Sequence, residues 1–336
     1  MTQSLYGPDQ AKGIWVYLEQ QGGQLEGVSL ELLAKGRELA DETSAELTGV
    51  LLGDGVKVLA KDAVAYGLDR VLIAEDPELE QYRTEPYARV VTGMVSEHKP
   101  DIFLLGATPD GRDLAGRLAV RLRTGLTADC TNLALEDGTR LLLGEVTGFG
   151  GGILATIKCE QHRPQMATVR PGVFAAGAPD KSRKAKIQRV NVTLAPEDGR
   201  VEVLERVTAE GVDLTRSKVI VVGGRGTRGD FSLLEELAEL LGGEVGATRV
   251  AVDEGWIGRD RQIGQTGFAT RPDLAILCGI SGAMHFTVGI EKAETVIAIN
   301  SDPEAEIFEH ADYGVADDLF HVLKPLVEQI KQAQAK

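Results

Sequence analysis

The stretch VIVV (219–222), GGRG (223–226) and FSLLEELAELL (231–241) decides how this chain folds. Four β-branched residues run into a glycine turn, and an apolar helical pattern follows. Gly224, Gly226 and Gly229 fit the spacing G-x-G-x-x-G. A strand that ends in such a turn is expected to present backbone N–H groups at a helix N-terminus. Unpaired donors and the helix dipole favour a phosphate or pyrophosphate there. Alone the motif is common, and its weight comes from the turns that follow it.

Further ligand-like turns follow along the next hundred residues. GQTG (264–267) precedes Pro272 and the apolar run Leu274–Cys278. Its Gln265 and Thr266 offer side-chain hydrogen bonds on a backbone that glycine lets approach a flat ring. GISGA (279–283) directly follows that run and opens a helical pattern, with Ser281 expected as the N-cap. Asn300 follows the strand pattern Val296–Ile299, where its amide either caps a turn or binds a ribose. Asp318 opens the last helical pattern; the dipole alone favours a carboxylate there, and a ribose or adenine contact is the other reading. Arg225 and Arg249 lie in or beside glycine turns, where a guanidinium suits phosphate or an electron-rich ring. Every one of these positions falls at the carboxyl end of an expected strand, the edge where parallel sheets bind ligands.

The 336 residues suit two domains, and 43% hydrophobic content supports sizeable cores. The first half alternates strand and helix patterns: Ile14–Leu18, Leu30–Ala40, Leu47–Leu52, Val56–Tyr66, Val71–Ala74, Pro86–His98, Ile102–Gly106 and Gly111–Arg123. This is the βαβ order of a doubly wound parallel sheet. Short strand patterns at Arg140–Val146, Ile153–Cys159, Gln165–Val169 and Val201–Leu204 read as an antiparallel addition to it. A polar stretch at Arg206–Asp213 reads as the linker, which puts an N-terminal α/β domain at 1–206 and a Rossmann-like domain at 207–336. The net charge of −15 argues against nucleic acid and anionic membrane surfaces. No apolar run reaches the length of a membrane span, and Met1–Gly13 has no signal-peptide core, so the cytoplasm is the expected compartment. Cys130, Cys159 and Cys278 are isolated and read as small buried hydrophobes in a reducing compartment, with no metal spacing.

Taken together these motifs resemble the α subunit of the electron-transfer flavoproteins. GGRG (223–226), GATR (246–249), GQTG (264–267), GISGA (279–283), AIN (298–300), DP (302–303) and DYG (312–314) follow in that family's order. The first half agrees through GRDLAGRLAVRLRTGLTADC (111–130) and RPQMATVRPGVF (163–174). The opening IWVYLEQQGG (14–23) is most similar to α subunits of anaerobic bacteria, many of which belong to electron-bifurcating complexes.

The resemblance implies FAD in the C-terminal domain and a β subunit packed on the N-terminal one. It further implies an acyl-CoA dehydrogenase-like or other flavin dehydrogenase, or NADH, as redox partner. By the same resemblance Arg225 and Ser281 hold the pyrophosphate region, with Thr248 close by. Arg249 lies against the isoalloxazine ring. Gln265 and Thr266, within Ile263–Gly267, bond the ring's pyrimidine side. Gly279, Gly282 and Ala283 shape the second turn, and Asn300 and Asp318 fix the ribose and adenine end.

The chain departs from the family in three ways. Phe268 stands where Lys is usual, and Met284-His285-Phe286 stands where Ile-Gln-His is usual. The segment after GGRG is about two residues short. The usual histidine donor to the flavin is thus replaced by Phe286, with His285 one residue, about 100° of helix, away. A NAD-dependent dehydrogenase built on the 224–229 turn is the alternative, disfavoured because no acidic residue clearly ends the next strand. A scaffold with an emptied flavin site is a third reading, resting on Phe286 alone.

Overall fold

The computed structural model describes residues 5–148, 153–205, 214 and 217–334. They form two compact units, one of residues 5–148 and 153–205 and the other of residues 214 and 217–334. The expected linker, Arg206–Asp213, lies outside the described residues.

The first unit opens with β1 (Ile14–Tyr17), the small hairpin β2 (Gln20–Gln21) and β3 (Gln24–Leu25), and α1 (Gly27–Thr43). The alternation continues with β4 (Leu47–Gly53), α2 (Lys57–Val64), β5 (Arg70–Glu75), α3 (Thr84–His98), β6 (Ile102–Gly106) and α4 (Pro109–Leu122). Next come β7 (Leu126–Cys130), β8 (Asn132–Leu135), β9 (Leu142–Gly148), β10 (Ile153–Lys158), β11 (Gln165–Val169) and β12 (Lys186–Arg189). Seven of these strands form one parallel sheet, in the order β12-β5-β4-β1-β6-β11-β7.

Period-two alternation along β1 explains the two cores. Ile14 and Val16 pack on one face with Leu32, Leu33 and Leu39 of α1. Trp15 and Tyr17 pack on the other with Val91 of α3 and Leu114 and Leu118 of α4. All four β1 residues are buried, as a strand covered on both faces requires.

The antiparallel addition is smaller than expected and differently made. Only β8, β9 and β10 form it. Gln165–Val169 instead returns to the main sheet, parallel to β6 and β7 and buried at every position. Val201–Leu204 forms no strand; Val201 and Leu204 are 61% and 89% exposed, so no sheet face holds them.

The second unit contains β13 (Val219–Gly223), α5 (Ser232–Leu240), β14 (Glu244–Ala247), α6 (Arg249–Asp253), β15 (Leu274–Cys278), α7 (Met284–Thr287), β16 (Val296–Asn300), β17 (Tyr313–Ala316) and α8 (Leu319–Gln334). Its five strands are parallel in the order β14-β13-β15-β16-β17. Val221, Ile276 and Ile299 face Leu234 and Leu237 of α5 and Leu323 and Val327 of α8. Ile220, Val222 and Leu277 face Leu214, Ile263, Ile280 and Phe286. From β13 the chain builds first towards β14, then restarts on the other side with β15. The carboxyl ends of β13 and β15 therefore flank the switch point, where open α/β sheets hold ligands.

Candidate functional site

A cleft of about 1030 Å3 lies along that carboxyl edge, wholly within the second unit. Its floor is two glycine turns joined to each other. The Gly224 N–H donates to the Cys278 carbonyl and the Gly226 N–H donates to the Gly279 carbonyl, each at 2.9 Å. A Cβ on Gly226 would meet the Gly279 Cα at 2.6 Å, and one on Gly224 would meet the Gly279 carbonyl oxygen at 2.5 Å. Glycine is required there because one backbone crosses another at contact distance.

This corrects the expectation drawn from the G-x-G-x-x-G spacing. The amides of Gly224 and Gly226 are committed to the neighbouring turn. The Thr227 and Arg228 amides close a 3₁₀ turn onto Gly224 and Arg225. No α-helix begins at the motif either: α5 starts at Ser232, where Asp230 accepts from the Ser232 N–H. The turn also presents the exposed side chains of Arg225 and Arg228, both lining the cleft.

The second turn also differs from expectation. Ser281 lines the cleft and is exposed, but the residue capping α7 is Ala283, and α7 is a single turn. Gly282 has φ +100°, and a Cβ there would meet the Ile307 N at 2.2 Å. Asn300 holds the turn in place: its Nδ2 donates to the Ile280 carbonyl at 2.8 Å and its Oδ1 accepts from the Asp302 N–H at 2.9 Å. The turn-capping reading of Asn300 is thus realised, and the side chain still borders the cleft. Asp318 accepts from the Phe320 N–H at the start of α8, as the dipole argument expects, and also borders the cleft.

The opposite wall comes from β14 and the GQTG turn. Thr248 is 9% exposed and precedes α6 without a side-chain cap bond. Arg249 is 66% exposed in its side chain, and its Nε lies 3.2 Å from Asp253 Oδ2. In the GQTG turn the Gln262 Nε2 donates to Thr266 Oγ1, and the Gln265 N–H donates to the His285 carbonyl. His285 Nδ1 lies 2.8 Å from Gln265 Oε1. An amide oxygen only accepts, so Nδ1 carries the proton and Nε2 remains as the ring's second polar atom. Phe286 is 7% exposed and packs into the core beneath.

Of the expected residues, Arg225, Thr248, Arg249, Ile263, Gln265, Thr266, Gly279, Ser281, Ala283, His285, Phe286, Asn300 and Asp318 all border this cleft. Gly264, Gly267 and Gly282 do not; they set the turns behind it. A Cβ on Gly267 would meet the Gln262 carbonyl oxygen at 2.2 Å. The sequence reading did not assign Arg228, Asp253, Asp302, Glu304 or Glu306 to the site, and they also line the cleft. Arg228 sits inside the glycine motif, and three of the acids follow β16, so the carboxyl-edge rule was the signal that could have found them. Cys278 is fully buried and its thiol is pushed up to about 12 by that burial, so it stays protonated and inert.

The donor set fits a dinucleotide with a flat head. Arg225 and Arg228 line the cleft from the first turn and Arg249 from the opposite wall, apolar Ile263, Ile280 and Phe286 also line it, and Gln265, Thr266 and His285 supply polar edges. The NAD-dependent alternative is not supported. β14 ends at Ala247 and passes to Thr248 with no acid for a ribose, and its glycines are used in turn packing. Among the described residues no helix is long and apolar enough to cross a membrane, and no cluster of metal-binding side chains occurs.

Comparison with known proteins agrees with the cleft. The electron transfer flavoprotein domain matches residues 14–195, and the electron transfer flavoprotein FAD-binding domain matches residues 213–291. The chain is 45% identical over 325 residues to the electron transfer flavoprotein subunit alpha of Thermoanaerobacterium thermosaccharolyticum, covering 96% of this chain and 98% of that protein. It is 46% identical over 325 residues to protein FixB of Clostridium saccharobutylicum, covering 96% and 97%. It is 39% identical over 354 residues to the acryloyl-CoA reductase electron transfer subunit beta of Anaerotignum propionicum, covering 96% of each. This chain belongs to the electron transfer flavoprotein α-subunit family, and its second unit is that family's FAD-binding domain.

Proposed function

We propose that this chain is the FAD-holding half of a cytoplasmic heterodimer with an electron transfer flavoprotein β subunit. The complex takes electrons from a dehydrogenase or from NADH and passes them to a partner flavoprotein. Bound FAD supplies the electron-accepting group, and the chain's own residues hold and tune it. The observation that carries this reading is the single cleft whose successive parts suit successive parts of FAD. Arg225, Arg228 and Ser281 meet the pyrophosphate. Arg249 lies against the ring, where its charge favours the reduced, anionic form and raises the potential. Gln265, Thr266 and His285 meet the ring's polar edge, and Asn300 and Asp318 meet the adenosine end.

His285 rather than Phe286 is the ring's histidine contact in this reading, because its imidazole is tied to Gln265 while Phe286 is in the core. Electron bifurcation belongs to the same proposal. It rests on the similarity to anaerobic relatives, one of them named as an electron transfer subunit of acryloyl-CoA reductase.

The purified heterodimer is expected to be yellow and to release FAD on denaturation. A fragment of about 207–336, reconstituted with the β subunit and FAD, is expected to keep the colour. Colourless, flavin-free protein after reconstitution of the full-length pair with excess FAD would defeat the reading. His285→Ala should loosen FAD and lower its potential while Phe286→Leu leaves both close to wild type. The reverse order would return the contact to position 286.

A further inference from the structure

The first unit carries a groove of about 1060 Å3 between α4, the start of α3 and the segment 197–203. Its lining holds four arginines and four carboxylates, so its charge is balanced. Most of these groups already have partners within the unit. Arg117 pairs with Glu85, Arg112 with Asp129 and Arg83 with Glu78. Asp113 accepts from the Tyr82 and Thr84 hydroxyls. A nucleotide or other highly charged ligand would find little free counter-charge here.

Three observations point to a polypeptide instead. Asp198 is 2% exposed and borders the groove. Its Oδ2 accepts from the Ala195 N–H and faces Arg89, but its Oδ1 is buried without a hydrogen-bond partner. Buried acceptors are ordinarily paired, and a main-chain N–H from a segment lying in the groove would pair this one. Next, Val201–Leu204 reads as a strand but joins no sheet. Arg83 Nη1 donates to the Val201 carbonyl, and no other main-chain group of residues 201–205 bonds to a described residue. Val201 and Leu204 are exposed beside this unpaired main chain, and so is Val120 on α4. Finally, Gly116 lies inside α4 and borders the groove, and a Cβ on it would meet nothing within 4 Å. Glycine inside a helix is destabilising relative to alanine, and no described residue requires it there. A bare helix surface of this kind lets another backbone approach closely.

We propose that this groove seats an extended segment of the β subunit, which pairs with the main chain of residues 201–204 as an added strand and covers Val120, Val201 and Leu204. The inference rests on the heterodimer reading above. A second copy of this chain is disfavoured as occupant because two chains of net charge −15 repel. A transient redox partner is disfavoured because an unpaired main chain flanked by exposed apolar side chains needs permanent cover.

The test uses the intact FAD-loaded heterodimer. A benzophenone side chain introduced at Leu204 should crosslink to the β subunit on illumination, while the same group at Val58, exposed on α2, should not. The amides of residues 201–204 should exchange slowly in the heterodimer and lose that protection on dilution. Gly116→Gln places a good helix former where nothing obstructs it, so the unit still folds, yet its side chain would enter the groove. It should weaken the heterodimer about tenfold in sedimentation. Gly93→Gln is the control, on α3 away from the groove and equally unobstructed, and should leave the affinity unchanged. Crosslinks to a second copy of this chain, or only to an added dehydrogenase, would overturn the proposal. So would fast exchange at 201–204, or no greater weakening by Gly116→Gln than by Gly93→Gln. Any of these results in an intact yellow heterodimer leaves the proposed function standing, whereas a pair that never assembles overturns both readings.

Discussion

At Gly226 a single missing methyl group lets two turns share their backbones. Gly226→Ala drives a Cβ to 2.6 Å from the Gly279 Cα, which is backbone and has no rotamer to yield. Overpacking of this kind costs about 1–3 kcal/mol. The variant is expected to unfold at lower denaturant and to lose FAD on dialysis; normal FAD retention would show that the turns separate freely. Arg249 is a different case. Its guanidinium is two-thirds exposed and already shared with Asp253, so its hold on the flavin is discounted by solvent. Arg249→Ala should keep FAD and lower its potential by about 1 kcal/mol per electron, roughly 40 mV. Asp253→Asn should shift the potential the other way, by releasing the guanidinium. Potentiometry of both variants checks the pair, and a rise in the first would remove Arg249 from the ring.

At the scale of elements, the Gly279–Ala283 turn depends on the strand beside it. Asn300 at the end of β16 is the only described side chain that donates to the Ile280 carbonyl. Asn300→Ala leaves that carbonyl without its partner, at a cost of about 1–3 kcal/mol. FAD should dissociate faster while the first unit's hydrogen-exchange protection stays the same. The elements legible in the sequence were those with long or repeated periodicity. β1, β6, β13 and β15 are continuous apolar runs, β4 is apolar apart from Thr48, and α1, α3 and α5 carry clear helical spacing. β14 and β12 escaped because both are four residues long, Glu-Val-Gly-Ala carrying a glycine and Lys-Ile-Gln-Arg being polar at three positions; neighbouring strands, not local propensity, make them extended. β11 was legible as a strand but not in direction. Its five buried positions are the mark of a parallel, doubly covered strand, yet it follows an antiparallel excursion that suggested otherwise. The cleft itself was legible because every ligand-side turn obeys one edge rule. Which groups stay available was not, because amide pairing between Gly224, Gly226 and the second turn arises only when the turns meet.

For the whole molecule, acid stability should be set by carboxylates that fold into guanidinium company. Burial draws the Asp129 carboxyl upward, but the hydrogen bond from Arg170 and the charges of Arg170 and Arg112 outweigh it and hold it below its ordinary value. A folded-state pKa below the unfolded one contributes stability that is full above about pH 4 and is lost as pH falls through the folded value. Asp129→Asn should therefore lower stability at neutral pH and flatten the acid limb of the denaturation curve. An unchanged acid limb would mean that other carboxylates carry it. Asp198, held low by the Ala195 amide and by Arg89 against the opposing effect of its burial, is the next candidate.

The two turns that brace one another have a consequence for how the cofactor comes and goes. The Gly224 and Gly226 amides of the first turn donate to the Cys278 and Gly279 carbonyls rather than to a ligand, so the bracing of this floor owes nothing to FAD. Loading should then resemble filling a mould rather than folding around a guest. Association is expected to follow a single exponential whose rate rises linearly with FAD concentration, with a heat-capacity change no larger than the covered apolar surface requires. A subunit built this way can surrender its flavin and take up another without passing through a disordered state.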